Sequence, residues 1–142
     1  MAEDNVATSR RFIDEAFSSG NLDVFDEVCT QSFVNHDAIA GDQDRAAAKE
    51  SIAAYRAAFP DLHFTIEDAF AADDKVVMRW SGEGTFEHEF MGLEPTGETG
   101  SPVKGISIDR YEDGKIAESW SQWDTLTFLR DVGAIPQEAG VS

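Results

Sequence analysis

The main change in the spacing of hydrophobic residues along this chain lies at Pro60. Before it, apolar residues recur every three or four positions, as on one side of a helix, and after it they recur at every second position, as on one face of a strand. Proline disfavours the α conformation in the residue before it and supplies no amide donor, so a helix should end here. Helices before strands predict an α+β fold, in which the helices pack on a mixed, strongly curved sheet that encloses a pocket.

Four helices are predicted from the apolar spacing and from residues that favour helix ends. They span residues 4–18, 22–28, 44–59 and 126–132. Asp4 is expected to cap the first helix, and Gly133 and Pro136 are expected to end the last. A short strand at 33–35 is predicted between the second and third helices.

Most of the predicted strands follow Pro60. They span residues 62–67, 75–83 and 85–90, and the first two should pair around a turn at 73–74. The clearest signal is a hairpin over 103–124 that turns at Asp113 and Gly114, because glycine adopts the positive φ that a tight turn needs. We expect this hairpin at the centre of the sheet.

Alternation along the hairpin defines two faces. The inner face carries Ser107, Asp109, Tyr111, Ala117, Ser119, Ser121 and Trp123. The apolar residues assigned to the outer face are Ile106, Ile108, Ile116 and Trp120. Such a patch is rarely left in water, and two-fold homodimers are the commonest assembly, so we expect a homodimer through this outer face.

Composition limits the partners. The 142 residues fit one domain over 1–142, and 28 acidic against 11 basic residues give a net charge of −17. This surface repels polyanions, which argues against nucleic acid and anionic membranes. No run approaches the roughly 18 apolar residues of a membrane span, and 1–6 is too acidic for a signal peptide, so we expect a cytoplasmic protein. Acid excess with four lysines also suggests a high-salt cytoplasm, although an ordinary acidic soluble protein has the same composition.

Metal and cofactor sites find no support in the sequence. Cys29 is the single cysteine, and its place in an apolar pattern predicts core packing. His36 and Asp37 are adjacent rather than spaced like metal ligands, and no glycine-rich phosphate loop occurs. We therefore expect no metal and no bound nucleotide.

Five short motifs occur in an order and spacing shared with one protein family. They are Phe59-Pro60-Asp61, Glu89-Phe90-Met91-Gly92, Pro95-Thr96-Gly97, Asp113-Gly114-Lys115-Ile116 and Glu118-Ser119-Trp120. On these motifs the chain resembles the SnoaL-like polyketide cyclases over nearly its whole length. The resemblance implies a cone-shaped fold like that of nuclear transport factor two and the ketosteroid isomerases, commonly homodimeric. It also implies an intramolecular aldol cyclisation of a polyketide ester by an acid/base side chain, with no metal or cofactor.

The resemblance also implies where the acid/base pair should be. Aligned on the hairpin, the catalytic aspartate of the cyclases falls on Ser121 and the accompanying histidine falls on Ser107. A serine hydroxyl is too weak a base unless another group takes its proton. Two serines thus replace the expected pair, which argues against aldol cyclisation by that mechanism.

Two titratable residues could take over the acid/base role. Asp109 lies on the inner strand face and could be a buried base; alternatively it is a rim carboxylate paired with an arginine such as Arg79. His36 could act as acid, base or ligand donor, or it could simply hydrogen-bond a neighbouring loop.

The pocket is expected to combine aromatic rings with a few polar groups. Its candidate lining is Asn35, Tyr55, Phe59, Phe90, Met91, Tyr111, Ser119 and Trp123. This combination is typical of a small-molecule site, although the same rings could fill the cone completely.

Three hypotheses on function follow. The protein is an acid/base enzyme of the cyclase, isomerase or hydratase kind on a small hydrophobic keto or ester substrate, a non-catalytic binding protein, or a dimerisation module with a filled cone.

Overall fold

The helices lie where the apolar spacing predicts them, with shifted ends. The fold is that of a computed structural model, which describes residues 2–135; Pro136 lies outside the described residues. The helical elements are α1 (Ala2–Phe12), a π-helix (Ile13–Ser18), α2 (Val24–Val28), α3 (Arg45–Ala58) and α4 (Thr125–Asp131). Asp44 caps α3 by accepting a hydrogen bond from the Ala47 amide at 2.8 Å. The prediction that Asp4 caps α1 is wrong, because α1 begins at Ala2 and Asp4 lies inside its first turn.

Six strands form one mixed sheet in the order β2-β1-β6-β5-β4-β3. They are β1 (Cys29–Asp37), β2 (Gly41–Gln43), β3 (His63–Ala72), β4 (Lys75–Glu83), β5 (Val103–Glu112) and β6 (Lys115–Trp123). All neighbouring strands are antiparallel except β1 and β6. The α+β prediction is confirmed, and the β5–β6 hairpin occupies the centre of the sheet. It turns through positive φ at both Asp113 and Gly114, which matches the twist of the flanking strands.

The buried side chains form two clusters on the inner face of the sheet. The first lies between the N-terminal helices and the sheet and includes Phe12, Phe25, Phe33, Ile52 and Met78. The second lies beside α4 and includes Phe59, Phe86, Phe90, Phe128 and Val132. Cys29 belongs to the first cluster with 1% of its surface exposed, so its predicted core packing is confirmed.

Residues 85–90 do not form the predicted strand. Only two isolated bridges occur there, from Thr85 to Thr99 and from Phe90 to Leu93. The amides of Glu87 and His88 instead donate to the Ala58 carbonyl at the end of α3, at 2.9 and 3.2 Å. These backbone donors are taken by the helix end, so no ladder with a neighbouring strand forms.

A β-bulge changes the predicted faces of the hairpin. Arg110 pairs with Glu118, whereas the next residue, Tyr111, pairs with Ile116, so Ala117 is the extra residue. Ile116 therefore turns to the inner face, where it is fully buried in the first cluster. The prediction that Ile116 belongs to the outer patch is wrong.

Within residues 2–135, none of the helices has the length and apolarity that crossing a membrane would require.

Candidate active site

A cavity of about 160 Å³ lies between the helices and the inner face of the central strands. Its aromatic lining includes Phe12, Phe17, Phe33, Tyr55, Phe64, Trp80, Trp123 and Phe128. Its polar lining includes Asn35, Gln43, Ser51, Ser107, Asp109, Ser119 and Ser121. The cone is therefore not filled by its own rings. An apolar cavity with a few convergent polar groups is the usual form of a small-molecule site.

Asp109 is the buried carboxylate of this cavity, with 2% of its surface exposed. Its two oxygens accept hydrogen bonds from the hydroxyls of Ser119 at 2.5 Å and Ser9 at 2.7 Å. Burial raises the pKa of Asp109, and the two serine hydrogen bonds oppose that rise. The alternative of a rim carboxylate paired with Arg79 is wrong, because Arg79 pairs with the exposed Asp68 at 2.8 Å.

The strand register brings the polar groups together. Asp109 lies directly opposite Ser119, and Ser107 lies directly opposite Ser121, on the two central strands. Residues two apart on one strand share a face and are separated by about 7 Å. The inner face thus carries two adjacent polar pairs, one with a carboxylate and one with two hydroxyls.

Ser107 is held by a donor from the neighbouring strand. The indole nitrogen of Trp80 donates to its hydroxyl oxygen at 2.8 Å, and the Ser121 hydroxyl lies 3.4 Å from the same oxygen. Because Trp80 can only donate, the Ser107 proton is directed elsewhere, towards Ser121 or the cavity. The pair can therefore donate a hydrogen bond to an oxygen atom bound in the cavity.

Asn35 belongs to a second polar group on the cavity wall. Its amide nitrogen donates to the Gln43 side-chain oxygen at 3.2 Å, and Gln43 donates to the Ser51 hydroxyl at 2.6 Å. Nearby, the rings of Tyr55 and Trp123 meet edge to face with their centroids 6.4 Å apart. Asn35, Tyr55, Ser119 and Trp123 are therefore the predicted pocket residues that line the cavity.

The other four predicted pocket residues lie elsewhere. Phe59 and Phe90 pack in the second cluster, and Met91 is 66% exposed in the loop that follows. Tyr111 is buried behind Asp109, and its hydroxyl contacts the Ser9 hydroxyl at 2.6 Å. None of these four residues lines the cavity.

His36 lies on the outer face of the sheet, away from the cavity. Its imidazole stacks on Trp120, with the ring centroids 5.5 Å apart. Its Nε2 lies 2.6 Å from a Glu118 carboxylate oxygen, and its Nδ1 lies 2.7 Å from an Asp42 oxygen. The hydrogen bond with Glu118 is the largest cause that raises the pKa of His36, and the hydrogen bond with Asp42 is the next. The geometry fits a structural histidine between two carboxylates rather than a group that reaches a ligand in the cavity.

Ser9 and Trp80 are among the site residues that were not predicted from the sequence, although each has a signal there. Ser9 lies three positions after Val6 and three before Phe12 on the buried side of α1, where a polar residue is unusual. Trp80 continues the inner alternation of Val76 and Met78 along β4.

No group of three or more metal-ligating side chains occurs within residues 2–135.

Comparison with known proteins gives one family and several related structures. A family model for SnoaL-like polyketide cyclases matches residues 7–132. AclR from Streptomyces galilaeus, a suggested hydroxylase, has a TM-score of 0.84 at 23% identity, covering 96% of this chain and 100% of AclR. A suggested SnoaL-like polyketide cyclase from Jannaschia sp. CCS1 has a TM-score of 0.84 at 25% identity, covering 95% of each chain. IdmH from Streptomyces antibioticus, a suggested polyketide cyclase, has a TM-score of 0.78 at 30% identity, covering 91% of this chain and 98% of IdmH. No match was found among curated proteins.

Proposed function

Because this chain belongs to the SnoaL-like polyketide cyclase family, we propose that it catalyses acid/base chemistry on a small hydrophobic keto or ester substrate, without a cofactor. The observation that carries the proposal is Asp109, a carboxylate buried at the cavity with two hydroxyl donors. Burial moves such a carboxyl towards the pKa that a general base needs near neutral pH.

The proposed reaction begins when Asp109 removes a proton from a carbon beside the substrate carbonyl. The electron pair of the broken C–H bond forms a C=C bond to the carbonyl carbon, and the π pair of the carbonyl moves onto its oxygen. Ser107 and Ser121 donate hydrogen bonds to the enolate oxygen that forms. Where the substrate has a further C=C bond conjugated with the enolate, return of the proton at the far end of that bond gives an isomerase. Attack of the enolate carbon on a second carbonyl of the same molecule gives a cyclase, and Asp109 then returns its proton to the new alkoxide.

The cavity limits the size of the substrate. An apolar cavity of about 150 Å³ in another protein accommodates benzene. With about 160 Å³, the present cavity fits one ring or a short chain beside the carbonyl group. We therefore propose a substrate with a single-ring or similarly narrow apolar end.

Deuterium exchange of phenylacetone, a single-ring ketone, tests the proposal. The wild-type protein in D₂O should accelerate exchange of the protons beside the carbonyl, observed by NMR. Asp109→Asn should lower the rate by about 10²- to 10⁴-fold, the usual contribution of general base catalysis. Asp68→Asn is the matched control, because it removes an exposed carboxylate from β3, two strands away from Asp109 in the same sheet. An Asp109→Asn rate equal to the wild-type rate would contradict the assignment of the base.

The alternative function is a non-catalytic small-molecule-binding protein. It is favoured by the serines at 107 and 121, where the resemblance implies an acid/base pair. Under this alternative, phenylacetone shifts the NMR signals of Tyr55 and Trp123, which line the cavity, but exchange stays at the rate in buffer.

We further propose that the protein is a homodimer through the outer sheet face. Ile106 on this face is 51% exposed, and Ile108 and Trp120 lie beside it in the register of the central strands. Burial of this patch by a second copy would remove its apolar surface from water.

A further inference from the structure

Asp109 stands at the end of a chain of hydroxyl groups that leads to the N-terminal helix. The Ser9 hydroxyl lies 2.7 Å from Asp109 Oδ2 and 2.6 Å from the Tyr111 hydroxyl. The Tyr111 hydroxyl in turn lies 2.8 Å from the backbone carbonyl oxygen of Asn5 in α1. The chain thus runs from a carboxyl group, through two hydroxyls, to a carbonyl that can only accept.

This order of groups allows two complete hydrogen-bonding patterns. Each hydroxyl has one proton to donate and can also accept. With Asp109 ionised, Ser9 donates to the carboxylate, and Tyr111 donates to Ser9. With Asp109 protonated, the carboxyl donates to Ser9, Ser9 donates to Tyr111, and Tyr111 donates to the Asn5 carbonyl. Every buried proton has an acceptor in both states, and only hydroxyl rotations separate the two.

We propose that Ser9 and Tyr111 are positioning residues that hold Asp109 through both halves of a proton-transfer cycle by reversing the direction of their hydrogen bonds. The inference rests on the proposed role of Asp109 as the base. A base must carry its proton until the proton is returned, and an apolar site would otherwise leave one of the two forms with an unmatched donor or acceptor. The chain removes that difficulty without moving a heavy atom.

Within residues 2–135, the side-chain hydrogen bonds of Asp109 are with hydroxyl groups. On β6, its other neighbour is Ser119, which donates to Oδ1. The titratable groups that interact with it electrostatically are Cys29, at the start of β1, and Tyr111. Burial raises the pKa of the Cys29 thiol, which keeps that group neutral. Within residues 2–135, Asp109 takes part in no ion pair that would fix it in its charged form.

Infrared difference spectroscopy can observe the reversal without a substrate. The chain has two tyrosines, so Tyr55→Phe leaves Tyr111 as the single tyrosine, and ring-labelled tyrosine then identifies its C–O stretch. This band differs between a phenol that mainly donates and one that also accepts a hydrogen bond. The spectra are recorded across the pH range in which the protein stays folded. The carboxylic C=O band that Asp109→Asn removes marks the protonation of Asp109.

We expect the Tyr111 band to shift with the same pH midpoint as the Asp109 band. In Ser9→Ala the chain is interrupted, so the Asp109 band should persist while the Tyr111 shift is lost. In Ser119→Ala, the matched control on the opposite oxygen, the Tyr111 shift should remain. Two results would overturn the inference. One is a Tyr111 band that does not shift with the Asp109 band when Ser9 is present, and the other is a Tyr111 band that shifts equally in Ser9→Ala.

A second measurement tests the inference if Asp109 does not change its protonation state within the pH range in which the protein stays folded. Asp109→Asn then stands for the protonated form, because its amide can donate to Ser9. An unchanged Tyr111 band between the Tyr55→Phe protein and its Asp109→Asn derivative would overturn the inference. Failure of the proposed function can be distinguished from failure of this inference. If only the proposed function fails, Asp109→Asn exchanges phenylacetone at the wild-type rate, while the Tyr111 band still shifts with Asp109.

Discussion

Replacing Asp109 by asparagine should increase stability at high pH, although the residue is buried and fully hydrogen-bonded. Asparagine has nearly the same shape, and the hydroxyls of Ser9 and Ser119 can either donate to it or accept from it. At low pH, where Asp109 is protonated, the two proteins should therefore differ by no more than about 1 kcal/mol, the net contribution of a typical hydrogen bond.

The difference should grow as the pH rises. Burial raises the pKa of Asp109 in the folded protein, whereas an unfolded aspartate titrates near about 3.9. A raised pKa gives stability that is fully present below the unfolded value and lost as the pH rises through the folded value. Each pH unit in this window removes up to about 1.4 kcal/mol from the wild type and nothing from the variant. Above the folded pKa the difference should be constant.

Urea unfolding of both proteins at constant ionic strength, repeated over a series of pH values, measures this difference directly. The many other carboxyl groups titrate equally in both proteins and cancel. Asp68→Asn, at an exposed ion pair, is the control and should show no such growth. A wild type that gains stability over Asp109→Asn as the pH rises would refute the reasoning, because the serine hydrogen bonds would then outweigh burial.

Three further predictions concern the outer face and the packing of the sheet. Since Glu118 and Asp42 raise the pKa of His36, its charged form stabilises the fold fully below about 6.5 and loses that effect as the pH rises through the higher folded value. His36→Gln should thus lower the free energy of unfolding at acid pH and have little effect at alkaline pH; an equal loss at both would contradict the ion pairs. Gly105→Ala should cost about 1–3 kcal/mol in urea unfolding, because its methyl group would overlap the Trp80 ring, and an unchanged midpoint would contradict this packing. Ile106→Lys should convert a dimer to a monomer in gel filtration at working salt, and a wild-type protein that already elutes as a monomer would contradict the proposed interface.

The sequence predicted most of the fold because its signals were local. Pro60 marked the end of α3 to within two residues, and Asp113-Gly114 placed the central hairpin. The faces of β6 were less predictable, because the bulge that turns Ile116 inward depends on pairing with Tyr111 across the hairpin. Alternation counted along one strand contains no information about such a pairing.

The candidate site was predictable in part for the same reason. Asp109 could be identified from strand alternation alone. Its partner Ser9 is 100 residues away in sequence, and only the packing of α1 on the sheet brings the two together. His36 follows Asn35, which lines the cavity, and the period of two along β1 turns its imidazole to the other face. A histidine near a pocket in sequence is thus a weaker indication than the strand face on which it lies.

Under the proposed function, the position of Asp109 supplies a base in a cone that has serines at the two positions of the implied acid/base pair. Ser107 and Ser121 form one layer of the inner face, and Asp109 and Ser119 form the next, about 7 Å further along the strands. Exposure falls along β6 from Ser121 to Ser119, so the carboxylate layer is the deeper one. Under the proposed function, the acidic carbon of the substrate lies at the layer of Asp109, beyond the two serines. Its carbonyl oxygen, trailing behind that carbon, would lie level with the Ser107 and Ser121 hydroxyls. The proposed narrow apolar end of the substrate suits this cavity, since Phe12, Phe25 and Phe33 line it and belong to the first buried cluster.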